Sequence, residues 1–322
     1  MKQNADEPWP PLPYSAWSDT CATLHMWMQV VGKIRLAAAP PANHWWNVAL
    51  YLTARGLSTS SVPYGNGSFE IEFDFIDHRL LIRSSDGQSA MMALAPRTVA
   101  EFYSEVMAKL ARLGIAVRIW PRPVEVPDAI PFDQDTVHAA YQAESAHRFW
   151  RALLQADRVL KRFRARFIGK ASPVHFFWGS FDLAATRFSG RPAPPHPGGV
   201  PNLADWAVRE AYSHECSSCG FWPGNGGFGQ AAFYSYAYPE PPGFGSADAG
   251  EPAAYYSQEL REFILPYDAV RASAEPDAML LRFLQVTYEA AANLGGWDRD
   301  ALETPRAAVA ELPASGSRLN RS

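Results

Sequence analysis

Phe69-Glu70-Ile71-Glu72-Phe73-Asp74-Phe75 alternates apolar and acidic side chains without a break. Successive side chains of a strand point to opposite faces, so this stretch predicts a strand with one face in a core and the other toward water. Asp77-His78 supplies a turn, and Arg79 to Arg83 predicts the antiparallel return. Downstream, Thr98 and Glu101 form a capping box, and Val99, Phe102, Val106, Leu110 and Leu113 make one helical stripe that Gly114 ends. Upstream, Trp17, Cys21, Leu24, Met28 and Val31 recur at helical spacing until Pro40-Pro41 forbids continuation. His44 to Arg55 and Val117 to Trp120 read as further strands. Strands between two amphipathic helices predict an α+β protein with helices against one face of a mainly antiparallel sheet.

The unit recurs. Met26-Trp27, Val30-Val31 and Arg35 reappear with identical spacing as Phe149-Trp150, Leu153-Leu154 and Arg158. His44-Trp45-Trp46 opens a run ending at Arg55, and His175-Phe176-Phe177 opens one ending at Arg187. Phe102 precedes Gly114 by twelve residues, as Phe283 precedes Gly295. This pattern predicts an internal duplication, two halves related by a pseudo-twofold with a cleft between or within them. Residues 1–13 read as an extended Pro-rich N-terminus, 14–121 as the first half and 122–131 as a Pro-rich link. Residues 132–300 read as the second half, and 301–322 as a partly disordered tail. Within the second half, helices are expected over 136–167 and 276–294, with strands over 175–188, 212–216, 231–238 and 263–270. Arg191 to Pro201 and the Gly-rich Gly220 to Gly229 form an insertion that the first half lacks, and 239–252 is expected to be a mobile loop.

With 29 basic and 33 acidic side chains, the net charge of -4 gives no global attraction to nucleic acid or an anionic membrane. No apolar run reaches the roughly 20 residues of a membrane span, and the Pro-rich start lacks a signal-peptide core. Three cysteines fit a reducing compartment, so the expected location is the cytoplasm and the expected partner a small molecule. The oligomeric state is not readable from composition.

His214 is the candidate proton-transfer group, with Glu215 supporting its loop; the competing reading is a histidine held by a backbone carbonyl at a strand end. Ser213, His214 and Glu215 cannot form one relay, since strand neighbours face opposite sides. His175 and Arg187, twelve apart, are expected to share a face and orient an anionic substrate, with Trp222 walling the pocket. His44 and Trp46 share a strand face, with Arg55 opposite them unless a bulge intervenes. Any of these arginines could instead pair with a buried carboxylate such as Asp182. His25, one turn from Cys21 and Gln29, is either part of a polar stripe toward the cleft or a core histidine. His214, Cys216 and Cys219 could supply three zinc ligands but have no local fourth, so no metal is expected. Gly224 to Gly229 lacks the Lys-Ser/Thr of a P-loop, and no cofactor is expected. The expected function is a hydrolase- or isomerase-type enzyme working by acid/base chemistry on an anionic or aromatic substrate. The alternative is a non-catalytic ligand-binding or regulatory module.

Five stretches together resemble one bacterial family. They are Trp9 to Arg35, His44-Trp45-Trp46, Phe73 to Arg79, Val174 to Asp182, and Tyr212-Ser213-His214-Glu215 with Gly220-Phe221-Trp222-Pro223-Gly224. The family is catalogued as domain of unknown function 5996. The resemblance covers nearly the whole ordered chain and implies no reaction, and its pattern does not require cysteine at 216 and 219.

Overall fold

Two segments, each running helix, strands, helix, bury one continuous apolar core in the computed structural model, which describes residues 7–304. The first contains α1 (Ser18–Ala38), β1 (Tyr51–Leu52), β2 (Gly56–Ser58), β3 (Val62–Tyr64), β4 (Gly67–Asp74), β5 (Arg79–Ser84), β6 (Ser89–Ala93) and α2 (Val99–Arg112). The alternation in β4 does what it predicts: Phe69, Ile71 and Phe73 are buried, and Phe73 stacks on Phe102, which stacks on Trp27. Ile71 sits opposite Ile82 of the returning β5, and both halves of the Thr98–Glu101 capping box form. The strands run β1-β2-β4-β5-β6 with β3 on β4, all antiparallel.

The second segment contains α3 (Ala143–Arg164), β7 (His175–Phe177), β8 (Asp182–Pro192), α4 (Asp205–Ala211), β9 (His214–Trp222), β10 (Ala232–Tyr238), β11 (Tyr255–Ser257), β12 (Glu262–Pro266), α5 (Tyr267–Ala272), α6 (Pro276–Leu294) and α7 (Arg299–Leu302). Its strands form a second antiparallel sheet in the order β11-β12-β10-β9-β8-β7. Leu50 and Phe176 exchange both backbone hydrogen bonds, each 2.9 Å, so the sheets meet edge to edge at β1 and β7. The long helices lie on one side of this joined surface. Its other side carries Tyr51, Ser58 and Glu72 on the first sheet and runs across the junction onto the second. No helix among the described residues is long and apolar enough to cross a membrane.

Several expected elements take a different form. Only Tyr51–Leu52 of the expected strand from His44 to Arg55 is a strand. Asn43–Trp45 is a 3-10 turn in which His44 and Trp45 are left-handed (φ 56° and 59°), tethered by the His44 N–H to Glu210 and the Trp45 indole to the Ala207 carbonyl. Val117 to Trp120 is not a strand. The helix expected over 136–167 starts at Ala143, because the preceding residues satisfy the free end of α2: Val99 and Ala100 donate to the carbonyls of His138 and Asp135. The run 175–188 is two strands with a turn between them. Of the strand expected over 263–270, the second part is α5. The 239–252 loop is anchored by Phe244, fully buried against Phe263. Of the tail, 301–304 ends α7 and bridges back to Phe167, while 305–322 lies outside the described residues.

Candidate functional site

The ladder register places Asp182, Thr186 and Phe188 of β8 on the side of the second sheet away from α3 and α6. With them lie His214, Cys216, Ser218, Gly220 and Trp222 of β9, Tyr234, Tyr236 and Tyr238 of β10, and Glu262 of β12. The helix side carries Leu183, Phe221, Phe233 and Leu265; this side is polar and rich in tyrosine. The insertion folds over it: His196 stacks on Tyr212, Tyr238 donates to the Pro194 carbonyl, and the hydroxyls of Tyr212 and Tyr236 are 2.8 Å apart.

Three carboxylates converge here. Ser180 and the Tyr234 hydroxyl each donate to Asp182, whose charge is felt by Glu125 from the link and by Glu262. Gly220 makes the Tyr234 contact possible, since a β-carbon there would overlap that hydroxyl and the Leu183 carbonyl. Burial, and then the Asp182 charge, pushes Glu125 up to about 7 and Glu262 up to about 8. Burial also raises Asp182, against the hydrogen bonds from Ser180 and Tyr234. At neutral pH Glu125 therefore gains and loses a proton readily while Glu262 is mostly protonated. Like charges brought together in this way hold protons as a group.

Glu125 is held in place at a cost. Its backbone is left-handed (φ 61°), as is that of its neighbour Phe181 (65°), and each costs about 1 kcal/mol or more; Asn202 (55°) takes the same conformation, which asparagine tolerates. Gln29 of α1 clasps Val124 from both sides, accepting its N–H at 2.9 Å and donating to its carbonyl at 2.7 Å. The Glu125 N–H donates to Pro201 at 2.7 Å, and Asn202 donates to the Val126 carbonyl at 2.7 Å. Gly179 leaves the space that the Glu125 carboxylate fills. His25, one turn before Gln29, donates to the Gly179 carbonyl at 2.8 Å and packs on Phe181. Burial lowers it to about 4, so it stays neutral.

A second group occupies the same face near the sheet junction. His44 stacks on Phe188 with ring centres 4.4 Å apart and lies 5.6 Å from His214; Trp46 lies 6.0 Å from both Phe188 and His175. Lys170 donates to His44 Nε2 at 2.6 Å and sits over the Trp46 and Phe188 rings. His44 Nδ1 donates to the Ala211 carbonyl at 2.8 Å. Tyr51 Oη is 3.3 Å from His175 Nε2. Burial, then the charges of Arg35 and Arg164, lowers His175 to about 4.

Of the residues singled out from sequence, His44, Trp46, His175 and His214 are thus brought together, and Trp222 lies on the same face, stacked on Phe228 and bonded to Asn225. His25 acts one layer behind. Glu215 faces the helix side, where it binds Arg191 and Ser189 and so ties the start of the insertion. The common face expected for His175 and Arg187 does not exist: the chain turns at 178–181, and His175 pairs with Ala184, leaving Arg187 on the helix side. There its guanidinium lies between Phe163 and Tyr288 (3.5 and 4.2 Å) and donates to the Phe163 carbonyl. Arg55 bonds Asp74 and Asp77 at 2.8 and 2.7 Å beside the β4–β5 turn, away from both groups. Cys216 and Cys219, three apart on β9, face opposite sides, and burial pushes each thiol up to about 12. A groove of about 1100 Å³ between α3 and α6 is separate; its Arg158 and Arg162 are paired with Asp277 and its Arg271 with Glu7.

Glu125, Glu262, Lys170 and the tyrosines were not picked out from sequence. Tyr234, Tyr236 and Tyr238 carried a usable signal, three tyrosines at strand period on one face. Glu125 carried none, because its position depends on Gln29, distant in sequence.

Edge-joined antiparallel sheets with one helical and one polar face define an α+β protein whose candidate site is a sheet surface roofed by loops. Residues 9–304 match a family described as Family of unknown function (DUF5996), and the chain belongs to that family. No curated protein and no solved structure matches it.

Proposed function

We propose that this protein is a small-molecule enzyme that works by acid/base chemistry without an organic cofactor. Glu125 is the proton-accepting group, Glu262 the proton-donating group, and Asp182 the charge that tunes both. The observation that carries this reading is Glu125 itself: a carboxyl group on a left-handed backbone, facing Asp182, with no hydrogen-bond partner among the described residues. Strain retained at such a position is characteristic of working groups, and a carboxyl group titrating near neutrality suits transfer in both directions. The tyrosine hydroxyls and the Trp222–Phe228 stack suit a ligand with a flat or aromatic body. Two carboxyl groups of opposite duty fit hydrolysis or isomerisation. In this reading the proton-transfer role expected of His214 goes to the carboxylates, while Glu215, bound by Ser189 and Arg191 at the start of the insertion, keeps the supporting role expected of it.

The test is a metabolite library scored twice, by thermal shift for binding and by mass spectrometry for conversion, on wild type, Glu125→Gln and Glu262→Gln. Conversion by wild type that falls at least a hundredfold in either variant, with binding kept, supports the enzyme. Ligands that bind wild type and are never converted refute it in favour of a non-catalytic module, for which the same aromatic walls suffice.

The internal duplication is proposed on similar footing. Each segment runs long helix, antiparallel six-stranded sheet, long helix, and the sheets meet through the first strand of each, as a twofold would require. Strand position does not support the sequence match of His44 with His175, because His175 opens β7 whereas Tyr51 opens β1 and His44 lies in a 3-10 turn before it. A cytoplasmic location is proposed from three free, buried cysteines.

A further inference from the structure

Around Trp46 and Phe188, positive charge exceeds negative charge in a half-buried setting. Arg35 is 8% exposed, yet its guanidinium bonds only the carbonyls of Asn47 and Thr59. Arg164, exposed at the rim, bonds the Ser172 carbonyl, and the half-buried Lys170 makes no ion pair among the described residues. The one carboxylate acting on Lys170 is Glu210, one oxygen of which takes the His44 N–H while the other, buried, has no partner. Burying cations without partners is costly, so such a group is expected either to be lost or to serve a bound anion.

We propose that Lys170, over the aromatic floor of Trp46 and Phe188, and His214, on the same face beside His44, form a binding site for an oxyanion, the phosphate or carboxylate group of a small ligand. Lys170 spends one N–H on His44 Nε2, which holds the ammonium in place while the Ala211 carbonyl fixes the imidazole from its other side. The remaining ammonium hydrogens are free to donate. His214 Nδ1 lies 3.0 Å from the Ser213 hydroxyl. When that hydroxyl donates, the proton is on Nε2, which has no partner among the described residues, and the ring lies edge-on to His44 with centres 5.6 Å apart. Two charge-assisted or polar donors above a ring floor match a tetrahedral or planar oxyanion and give a neutral ligand little. Lys170 replaces Arg187 as the cation, since Arg187 lies behind the sheet. The site goes beyond the acid/base reading and stands without it.

The full-length protein, labelled with 15N at histidine, is titrated with sodium phosphate and separately with sodium acetate, with sodium chloride holding ionic strength constant. Saturable shifts confined to the His44 and His214 resonances, assigned through His44→Gln and His214→Gln, are expected with at least one anion; which one identifies the group bound. Lys170→Gln should weaken binding tenfold or more while the other histidine resonances keep their native positions. Glu125→Gln should bind as tightly as wild type, so a failed enzyme reading leaves this result untouched. No saturable shift with either anion overturns the site, as does unchanged affinity in Lys170→Gln.

Discussion

Replacing Glu125 by glutamine should make the protein more stable at alkaline pH and change it far less at pH 5. The native pKa of Glu125, about 7, lies above the ordinary 4.5. Between these values the native state holds a proton that the unfolded chain has released, so stability falls as pH rises through this window and the loss is complete above pH 7. A separation of about 2.5 units corresponds to roughly 3 kcal/mol at 1.36 kcal/mol per unit. Because water reaches the half-buried side chain, that figure is an upper bound. Glutamine has nearly the same shape and no charge, so it keeps the packing against Gly179 and abolishes the ionisation. Urea unfolding followed by tryptophan fluorescence, with 11 tryptophans as reporters, gives stability at pH 5, 6, 7, 8 and 9. The expected difference, variant minus wild type, is at most about 0.8 kcal/mol at pH 5 and rises to between about 1 and 3 kcal/mol at pH 8. A difference that does not change with pH would refute the reasoning, because Glu125 would then ionise alike in both states.

Gln29→Leu should cost about 2–4 kcal/mol in the same assay at pH 6, since it leaves the N–H and carbonyl of Val124 buried and unpaired; a loss below 1 kcal/mol would show that the link finds other partners. Arg187→Met should leave stability unchanged or raise it by about 1 kcal/mol, because Nε and Nη1 of this buried guanidinium have no partner. A drop of more than about 2 kcal/mol would instead mean that its contacts with Phe163 and Tyr288 outweigh desolvation. Cys216 and Cys219 should resist a thiol reagent at pH 8 for as long as the protein is folded and react within seconds in denaturant, given thiols pushed up to about 12; rapid labelling of native protein would contradict their burial.

Sequence by itself determined the elements whose signals are local. The Phe69 to Phe75 alternation, the Thr98–Glu101 box and the helix Pro276–Leu294 each rest on side-chain period or on a cap only residues apart, and these hold whatever the chain meets later. It also picked out His44, Trp46, His175 and His214, though not the geometry that unites them. Tertiary structure decided the rest. His44 leaves the expected strand because Glu210, Ala207 and Ala211 offer its segment hydrogen bonds that no local pattern encodes. Arg187 points to the helices because a four-residue turn reverses the chain between it and His175, and one strand's parity does not carry through a hairpin. Glu125 looks from sequence like a solvated residue of a proline-rich link. Gln29, distant along the chain, clasps its neighbour, and Gly179 clears its space, bringing the carboxyl group to Asp182. Its charge is suppressed by burial and by Asp182, and both arise only when segments remote in sequence pack together.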